Sequence, residues 1–257
     1  IKFVDWLHTP NADNNAQNNS YHHVFDYPVQ GEVDLTPYWL MGGNEGSSYV
    51  DAVSVQGQVC DRGLGPKVMT HAEYDGATNY AYHLDAAKFA KLLSKHATTV
   101  LGVEHKLANV TLVTVGEDGD VKSVTTDACG VLEADVFIDC TGFRGLLIDK
   151  LKEDNWESFT DALPCNKAVA IQRDLPDPER GPAPYTTATA LSNGWAWQID
   201  LCNRQGTGYV YDGDRLSKDE AEQELRDFIG PESNVLKCTH LDMKVGCRKE
   251  FWVGNCV

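Results

Sequence analysis

Two closely spaced tryptophans and a short run of histidines and aromatic residues are the side chains whose types and spacing could serve chemistry. Trp195 and Trp197 are two residues apart, so in an extended strand both indoles stand on the same face. Together they would form a rigid aromatic wall with more apolar area than ordinary strand packing needs. A core strand of a sandwich is the commoner interpretation of a lone W-x-W, so the meaning of this pair depends on the rest of the chain.

The second candidate is the run Tyr-His-His-Val-Phe at residues 21–25. Adjacent histidines in a strand point to opposite faces, and no carboxylate or further histidine lies at ligand spacing, so the sequence predicts no metal site. His23 and Phe25 share a face and could together offer a flat surface on which a planar substrate stacks. A half-buried strand without a binding role is an equally good interpretation of this run alone.

Motifs and charge argue against several other classes of function. No G-x-S-x-G, phosphate-binding loop or G-x-G-x-x-G occurs in the 257 residues, so a serine hydrolase is not supported and any dinucleotide fingerprint would precede Ile1. The net charge of −16 argues against nucleic acid and anionic membrane surfaces as partners. The eight cysteines are widely spaced and include no C-x-x-C pair, so we expect reduced thiols and a cytoplasmic location.

The elements that would position a site begin with a predicted helix at residues 84–97, where apolar side chains recur at helical spacing. Two alternating strands, 110–115 and 121–126, follow around a hairpin turn. Residues 134–140 indicate a buried strand that leads into the small-residue turn 141–145. This order recurs in FAD-binding domains, where a glycine lets the backbone approach the cofactor closely. An ordinary strand, turn and helix is the alternative, because a lone D-x-T-G is weak evidence.

The rest of the chain is predicted to be mostly β-structure. Strand-like runs lie at 185–191, 194–201, 208–211, 236–245 and 251–253. The short turns between the first three indicate an antiparallel sheet. Ser217 and Glu220 form a capping box that opens a helix ending before Gly230. We therefore expect one interleaved unit of mixed α and β structure, in which an antiparallel sheet caps a nucleotide-binding half.

Six segments, taken together and in order, resemble the flavin-dependent tryptophan halogenases. They are Y-H-H-V-F at 21–25, P-Y-W-L at 37–40, F-I-D-C-T-G-F-R-G-L-L-I at 137–148, W-A-W-Q-I at 195–199, G-T-G-Y-V-Y at 206–211 and W-V-G-N-C-V at 252–257. The likeness covers essentially the whole chain, and the ordered combination is highly specific although each segment alone is modest. The family hallmark W-x-W-x-I-P ends here at Asp200 rather than at proline, which leaves both indoles in place.

The resemblance implies a flavin-monooxygenase-like FAD-binding domain joined to an antiparallel-sheet substrate module, truncated at both ends. Residues 80–150 would belong to the FAD-binding part, and 1–79 and 151–257 to the substrate module. It also implies an FADH2-dependent enzyme that makes hypohalous acid from O2 and a halide ion and halogenates, for example chlorinates, tryptophan or another electron-rich aromatic compound in secondary-metabolite biosynthesis. A separate flavin reductase would supply the reduced flavin. We further expect a homodimer, with no nucleic-acid or membrane partner.

The resemblance assigns expected roles to individual residues. His23 and Phe25 match the aromatic residues that stack on the substrate ring. Trp195 and Trp197, with Ile199, match the motif near an internal tunnel that keeps the substrate away from the flavin. Such a tunnel is needed because free hypohalous acid would oxidise cysteine and methionine indiscriminately. The residues expected beside FAD are Val110, through its backbone, and Asp139, Thr141 and Gly142.

No catalytic residue is expected within this chain. The sequence starts and stops inside strand-like runs, so we expect an internal portion of a longer protein. By resemblance, the catalytic lysine would lie just before Ile1, distinct from Lys2, and the catalytic glutamate just after Val257, so the chain alone is expected to be inactive. Two other functions stay open: an FAD-dependent aromatic monooxygenase, and a non-catalytic flavin-binding relative that has lost the lysine.

Overall fold

The computed structural model of the protein describes residues 1–6, 19–42 and 48–257. The chain divides into two compact units, each assembled from two stretches of sequence. The first unit comprises Ile1–Asp85 and Lys167–Leu241, and the second comprises Ala86–Asn166 and Asp242–Val257. None of the helices among the described residues combines the length and the apolar character that crossing a membrane requires.

Short helices and strands follow one another along the chain. Up to residue 85 they are β1 (Lys2–Val4), β2 (Ser20–His22), β3 (Val29–Gln30), β4 (Val33–Asp34), α1 (Thr36–Leu40), α2 (Tyr49–Val53) and α3 (Gln56–Asp61). From residue 86 to 166 they are α4 (Ala86–Thr99), β5 (Val110–Val115), β6 (Val121–Thr126), β7 (Gly130–Leu132), α5 (Ile148–Leu151) and β8 (Trp156–Ser158). The remainder are β9 (Lys167–Arg173), β10 (Thr187–Leu191), β11 (Gly194–Asp200), β12 (Gln205–Tyr211), α6 (Lys218–Ile229), β13 (Cys238–Asp242) and β14 (Gly246–Arg248). This content confirms the predicted mixed α and β fold class.

A seven-stranded sheet is the scaffold of the first unit, in the order β13-β9-β12-β11-β10-β1-β2. Strands β9, β12, β11 and β10 pair antiparallel in succession, which confirms the antiparallel sheet predicted from short turns. Strand β1 joins β10 in parallel, although the two are far apart in sequence, with Lys2 paired to Thr187. No local pattern predicts that parallel pairing, and it brings the segment that contains His23 to the edge of the sheet.

Helix α6 covers one face of this sheet. Its capping box forms as predicted, because the Ser217 hydroxyl accepts the Glu220 N–H and the Glu220 carboxylate accepts the Ser217 N–H. The buried core between helix and sheet consists of Val169, Ile171, Tyr209, Tyr211, Ala221, Leu225 and Ile229. Burying one large apolar side chain contributes about 1.5–3 kcal/mol relative to leaving it exposed. The amphipathic face of α6 therefore anchors the central strands.

The two tryptophans lie in β11, on the sheet face opposite α6. Ala196, which stands between them, is fully buried and pairs with Tyr209, a member of the α6 core. Since successive side chains of a strand point to opposite faces, Trp195 and Trp197 point away from that helix. Both are half-buried, and their ring centroids are 6.2 Å apart with planes inclined by 59°. The predicted shared face of the two indoles is confirmed.

Small residues on the neighbouring strands make room for Trp197. Its direct partners in the register are Ala188 on β10 and Gly208 on β12. A Cβ added at Gly208 would overlap the six-membered ring of the Trp197 indole. The indole can therefore lie flat against β12 only because position 208 carries no side chain.

The second unit holds a three-stranded sheet in the order β5-β6-β7 and a separate two-stranded pair, β8 with β14. The predicted helix at 84–97 is observed two residues later as α4, and the predicted hairpin is formed by β5 and β6. The side chain of Asn255 pairs with both main-chain groups of Val121, at 2.9 Å each. That double hydrogen bond fixes the end of the chain to the start of β6.

The prediction of a buried strand at 134–140 is wrong. Phe137 forms only an isolated parallel bridge with Cys256, and Val136 and Ile138 are 54% and 73% exposed. A continuous apolar run is buried in a sheet only when other elements cover both of its faces. Among the described residues, the segment 255–257 is the one that pairs with this run. The predicted strand at 251–253 is likewise reduced to a single bridge at Val253.

We expect Gly208→Ala to destabilise the protein by about 1–3 kcal/mol, because the added methyl group must push the Trp197 indole from its position. Urea unfolding followed by tryptophan fluorescence measures the change. Gly206→Ala is the matched control, since it lies on the same strand and face and its Cβ would have no neighbour closer than 3.9 Å. Equal stability of the two variants would contradict the described contact of Trp197 with β12.

Candidate functional site

The first unit contains a cavity of about 560 Å³, a volume typical of small-molecule sites. Its wall is formed by residues 22–25, by α3 with residues 63–67, by residues 78–83, and by the loops 182–186 and 200–202. The lining is mainly apolar, with a few polar groups among it. A pocket of this composition can hold an aromatic molecule and orient it through a small number of hydrogen bonds.

His23 and Phe25 both lie in the wall of this cavity. Exposure alternates along the segment, because both residues are exposed while Val24 between them is half-buried. Phe25 is 56% exposed, which leaves most of an apolar ring open to the cavity and to solvent. The two residues predicted to share a face therefore meet at one cavity, and their role in stacking a substrate stays a prediction.

Main-chain hydrogen bonds fix the position of His23. Its N–H donates to the carbonyl oxygen of Ile1 at 2.8 Å, and the amino group of Ile1 donates to the carbonyl oxygen of His23 at 3.0 Å. These bonds continue the antiparallel pairing of β1 with β2. The imidazole is thus carried at the end of a ladder rather than on a free loop.

The side-chain amide of Gln56 supports the following residues. It is buried, at 6% exposure, and its Oε1 accepts the N–H groups of Phe25 at 2.7 Å and Asp26 at 3.2 Å. Its Nε2 donates to the carbonyl oxygen of Asn79 at 2.6 Å. Leaving such groups buried and unbonded costs about 1–3 kcal/mol each, so this one amide fixes two segments of the cavity wall together.

The carboxylate of Asp26 reinforces the same junction. It accepts the Ser54 hydroxyl at 2.9 Å and both the main-chain and side-chain N–H groups of Asn79 at 3.2 Å. Ser54 Oγ in turn accepts the N–H of Gln56 at 3.0 Å. Asp26, Ser54, Gln56 and Asn79 form a closed polar network behind the segment that carries Phe25.

His83 and Asp200 organise another part of the wall. The His83 ring lies between the carbonyl oxygen of Asp200, at 3.1 Å from Nδ1, and the hydroxyl of Thr186, at 3.2 Å from Nε2. The Asp200 carboxylate accepts the N–H of Ala183 at 2.9 Å and the amide of Gln205 at 2.7 Å. Asp200 stands where the family hallmark has proline, and here its side chain holds the loop 182–186 against β11.

A charged cluster lies beside the cavity around Asp61. Its carboxylate accepts Lys2 Nζ at 2.8 Å and contacts His22 Nε2 at 3.0 Å. Burial opposes ionisation of Asp61, but the hydrogen bonds from Lys2 and His22 outweigh it and lower its pKa. Burial also raises the pKa of Cys60, which lines the cavity, so this residue is a thiol rather than a reactive thiolate at neutral pH.

The tryptophan motif and the cavity are separate features of the first unit. Among the described residues, Trp195, Trp197 and Ile199 are not part of the cavity wall, whereas Asp200 to Cys202 directly after them are. Strand β11 therefore connects the two features: its indoles lie on the sheet face and its end forms part of the wall. The predicted role of the indoles as a partition stays a prediction.

In the second unit, Asp139 and Thr141 build a tight turn. Asp139 Oδ1 accepts the N–H and the hydroxyl of Thr141, and its Oδ2 accepts the N–H groups of Leu147 at 2.9 Å and Ile148 at 3.1 Å. Burial alone would raise the pKa of Asp139, but these hydrogen bonds outweigh it and hold the pKa below its ordinary value. Thr141 Oγ accepts the N–H of Leu146 at 2.8 Å. Both side chains are thus engaged within the turn itself.

The backbone of the second unit is open at Val110 and Gly142. Gly142 has a φ of +68°, which favours glycine, and no atom lies within 4 Å of the position a Cβ would take. Val110 lies on β5, an edge strand whose outer side has no neighbour in the three-stranded sheet of the described residues. Open backbone at both places is compatible with the predicted contacts of FAD with Val110 and Gly142.

The residues whose hydrogen bonds support the cavity wall were not predicted from the sequence. Gln56 and Asn79 are 23 residues apart, and Asp26 and Asn79 are 53 residues apart, so no local pattern joins them. Glu222, Cys238 and His240, whose ligand atoms converge on one point, were likewise not predicted. The available signal was the C-x-H spacing within the predicted strand 236–245, which places both side chains on one face.

Comparisons with known proteins agree with one another. A family model described as tryptophan halogenase matches residues 1–257. The chain is 36% identical over 280 residues to the 7-chloro-L-tryptophan 6-halogenase KtzR of a Kutzneria species, covering 100% of this chain and 52% of the relative. It is 33% identical over 268 residues to the tryptophan 7-halogenase RebH of Lentzea aerocolonigenes, with coverages of 100% and 50%. The crystal structure of a tryptophan halogenase from Shewanella frigidimarina matches with a TM-score of 0.89 at 34% identity, covering 100% of this chain and 49% of that one. The chain thus spans about half the length of these relatives.

We expect Asp139→Asn to lower the free energy of unfolding by about 1–3 kcal/mol at pH 7, because an amide nitrogen would face N–H donors of the turn. The folded-state pKa of Asp139 lies below the unfolded one, so its contribution is present above about pH 4 and is lost as the pH falls through the folded-state value. Urea unfolding at several pH values measures the difference in free energy of unfolding between wild type and variant. This difference should become smaller below about pH 4. Asp135→Asn is the control, since Asp135 is exposed on the same segment. A difference in free energy of unfolding that does not change with pH would contradict this role of the Asp139 carboxylate. An equal loss of stability in Asp135→Asn would contradict it as well.

Proposed function

Because this chain belongs to the tryptophan halogenase family, we propose that it forms part of an FADH2-dependent halogenase acting on tryptophan or another electron-rich aromatic compound. Bound FADH2 would supply the reducing equivalents with which O2 and a halide ion are converted to hypohalous acid. A separate reductase would supply the reduced flavin. The two relatives are named for the halogenation of 7-chloro-L-tryptophan and of tryptophan, which supports an indole as the ring that is modified.

The observation that carries the proposal is the cavity at which His23 and Phe25 are exposed together. Both rings are flat and lie on one side of a segment held by Ile1 and Gln56. Aromatic pairs contribute about 0.5–1.5 kcal/mol beyond the burial of their area, so a substrate ring between these side chains would be oriented as well as bound. Orientation matters because halogenation at one carbon requires the ring to present that carbon repeatedly in the same place.

The wall of the cavity contains two cysteines that a strong oxidant would attack. Cys60 and Cys202 line the cavity, and a free thiolate would react with hypohalous acid before the substrate did. Burial keeps Cys60 in its protonated and less nucleophilic form. The wall therefore suits an oxidant that is delivered to the substrate rather than one that fills the cavity.

We propose that main-chain groups of the second unit contribute to FAD binding. Gly142 and the edge strand β5 at Val110 offer open backbone, whereas Asp139 and Thr141 hold the shape of the turn. In the same proposal Trp195 and Trp197 separate substrate from flavin, and β11 links that aromatic wall to the cavity through Asp200.

In the longer protein that contains this chain, we expect His23→Ala and Phe25→Ala each to lower kcat/KM for aromatic halogenation by about tenfold or more, since each removes an aromatic contact with the substrate ring. Hypohalous acid formation, followed with a small halide-accepting trap in place of the substrate, should change by less than about twofold, because it needs no substrate contact.

The matched control for this experiment is Tyr27→Ala. Tyr27 is an aromatic residue of the same segment, 77% exposed, and is not part of the cavity wall. Its removal should leave both rates unchanged. Loss of halogenation and of hypohalous acid formation to the same degree in the His23 and Phe25 variants would argue against substrate stacking.

A further inference from the structure

A cluster of three potential metal ligands lies in the first unit, away from the residues that form the cavity wall. Cys238 and His240 are two residues apart on β13, an edge strand of the seven-stranded sheet, so their side chains share a face. Glu222 lies on α6, the helix packed beside that strand. The strand and the helix thus direct a thiol, an imidazole and a carboxylate to one point.

The distances among the three ligand atoms are close to those of a tetrahedral site. Glu222 Oε2 lies 2.9 Å from Cys238 Sγ and 3.0 Å from His240 Nε2, and Sγ lies 3.6 Å from Nε2. Around a tetrahedral zinc ion, with bonds of about 2.0–2.3 Å, the same pairs of atoms would be about 3.3–3.6 Å apart. An ion could therefore be accepted with movements of about half an ångström.

Arg226 holds the carboxylate of Glu222 in the orientation that a metal ion would need. Its guanidinium binds the other oxygen of Glu222, Oε1, at 2.7 Å, and also donates to the carbonyl oxygens of Ser233 and Leu236. Hydrogen bonds from Cys238 and Arg226 lower the pKa of Glu222 to about 2, so the carboxylate is ionised at neutral pH. Oε2 is left to face the thiol and the imidazole.

The cluster can be reached from solvent yet is not fully exposed. Glu222 and His240 each retain 25% side-chain exposure, and Cys238 is half-buried. The other ring nitrogen of His240, Nδ1, is buried and has no hydrogen-bond partner among the described residues, so the ring makes its polar contacts through Nε2. Partial exposure would admit an ion and leave one coordination position for water.

We propose that Glu222, Cys238 and His240 form a binding site for a divalent cation of intermediate softness, with Zn²⁺ as the ion of best fit. Thiolate and imidazole ligands favour zinc over magnesium and calcium, which prefer oxygen ligands alone. On binding, the sulfur–hydrogen bond of Cys238 breaks, its proton passes to the buffer, and the sulfur bonds the ion. No redox change is involved. The site departs from the sequence-based prediction of no metal.

A bound ion would join the edge strand β13 to α6, which covers the central strands. Because the ligands converge only in the folded unit, zinc would stabilise the folded state by an amount that grows with the logarithm of its concentration once that exceeds the dissociation constant. The three ligands lie outside the cavity wall, so a molecule in the cavity would not contact the ion.

The test is a titration of the protein, reduced and freed of metal with a chelator, with Co²⁺ as a spectroscopic substitute and then with Zn²⁺ in competition. We expect a thiolate-to-cobalt charge-transfer band that zinc abolishes. Cys238→Ser should remove the band, and His240→Gln should weaken cobalt binding by about tenfold or more. Circular dichroism checks that the variants remain folded.

Cys129→Ser is the matched control, since Cys129 is also half-buried but is not part of a cluster of metal ligands in the described residues. It should bind cobalt as the wild type does. Absence of the band in the wild type would overturn the proposal and leave the cluster as a hydrogen-bond network around Glu222. A band that persists in Cys238→Ser would overturn it equally, because the thiolate would then come from another residue.

Discussion

The buried amide of Gln56 is the interaction on which the cavity of this protein depends. A primary amide removed from water must find partners for both its oxygen and its nitrogen, because unpaired groups in the interior are costly. Gln56 meets that demand with main-chain groups of Phe25, Asp26 and Asn79, which belong to two distant segments. The requirement of one side chain thus fixes the path of two stretches of backbone, and the exposed rings of His23 and Phe25 stand on one of them.

The sheet supplies a second constraint of a different kind. Its face toward α6 is filled by large buried residues such as Tyr209 and Ile171, while the opposite face carries the two indoles. Flat packing of Trp197 against β12 depends on the absence of a side chain at Gly208. Because β11 continues directly into Asp200, the position of the indoles and the position of part of the cavity wall are set by the same strand.

Local patterns predicted much of the scaffold. Alternation and short turns predicted β10, β11 and β12, and the capping box at Ser217 predicted the start of α6. These features succeed because they depend on neighbours in sequence. The prediction for the run 134–140 was wrong for the opposite reason. Its apolar composition indicates burial, but burial depends on which segments cover it, and among the described residues its main chain pairs with residues 255–257.

The site was predicted only in part, because contacts between distant segments leave no local pattern in the sequence. The shared side of His23 and Phe25 follows from spacing, whereas the network of Asp26, Ser54, Gln56 and Asn79 is made of long-range hydrogen bonds between residues of ordinary type. The cluster of Glu222, Cys238 and His240 depends both on local spacing and on long-range packing. Two of its members share a strand face by spacing, and the third arrives only through the packing of α6.

We propose that this cavity binds an aromatic substrate through a wall that Gln56 supports. The most direct measurement is the dissociation constant of tryptophan for the longer protein that contains this chain, by calorimetry, in the wild type, in Gln56→Leu and in Gln58→Leu. Gln58 lies exposed on the same helix and serves as the control. We expect Gln56→Leu to weaken binding by about tenfold or more, since about 1–3 kcal/mol of hydrogen bonding behind Phe25 is lost, and Gln58→Leu to leave it unchanged. Equal affinity in all three proteins would contradict the account.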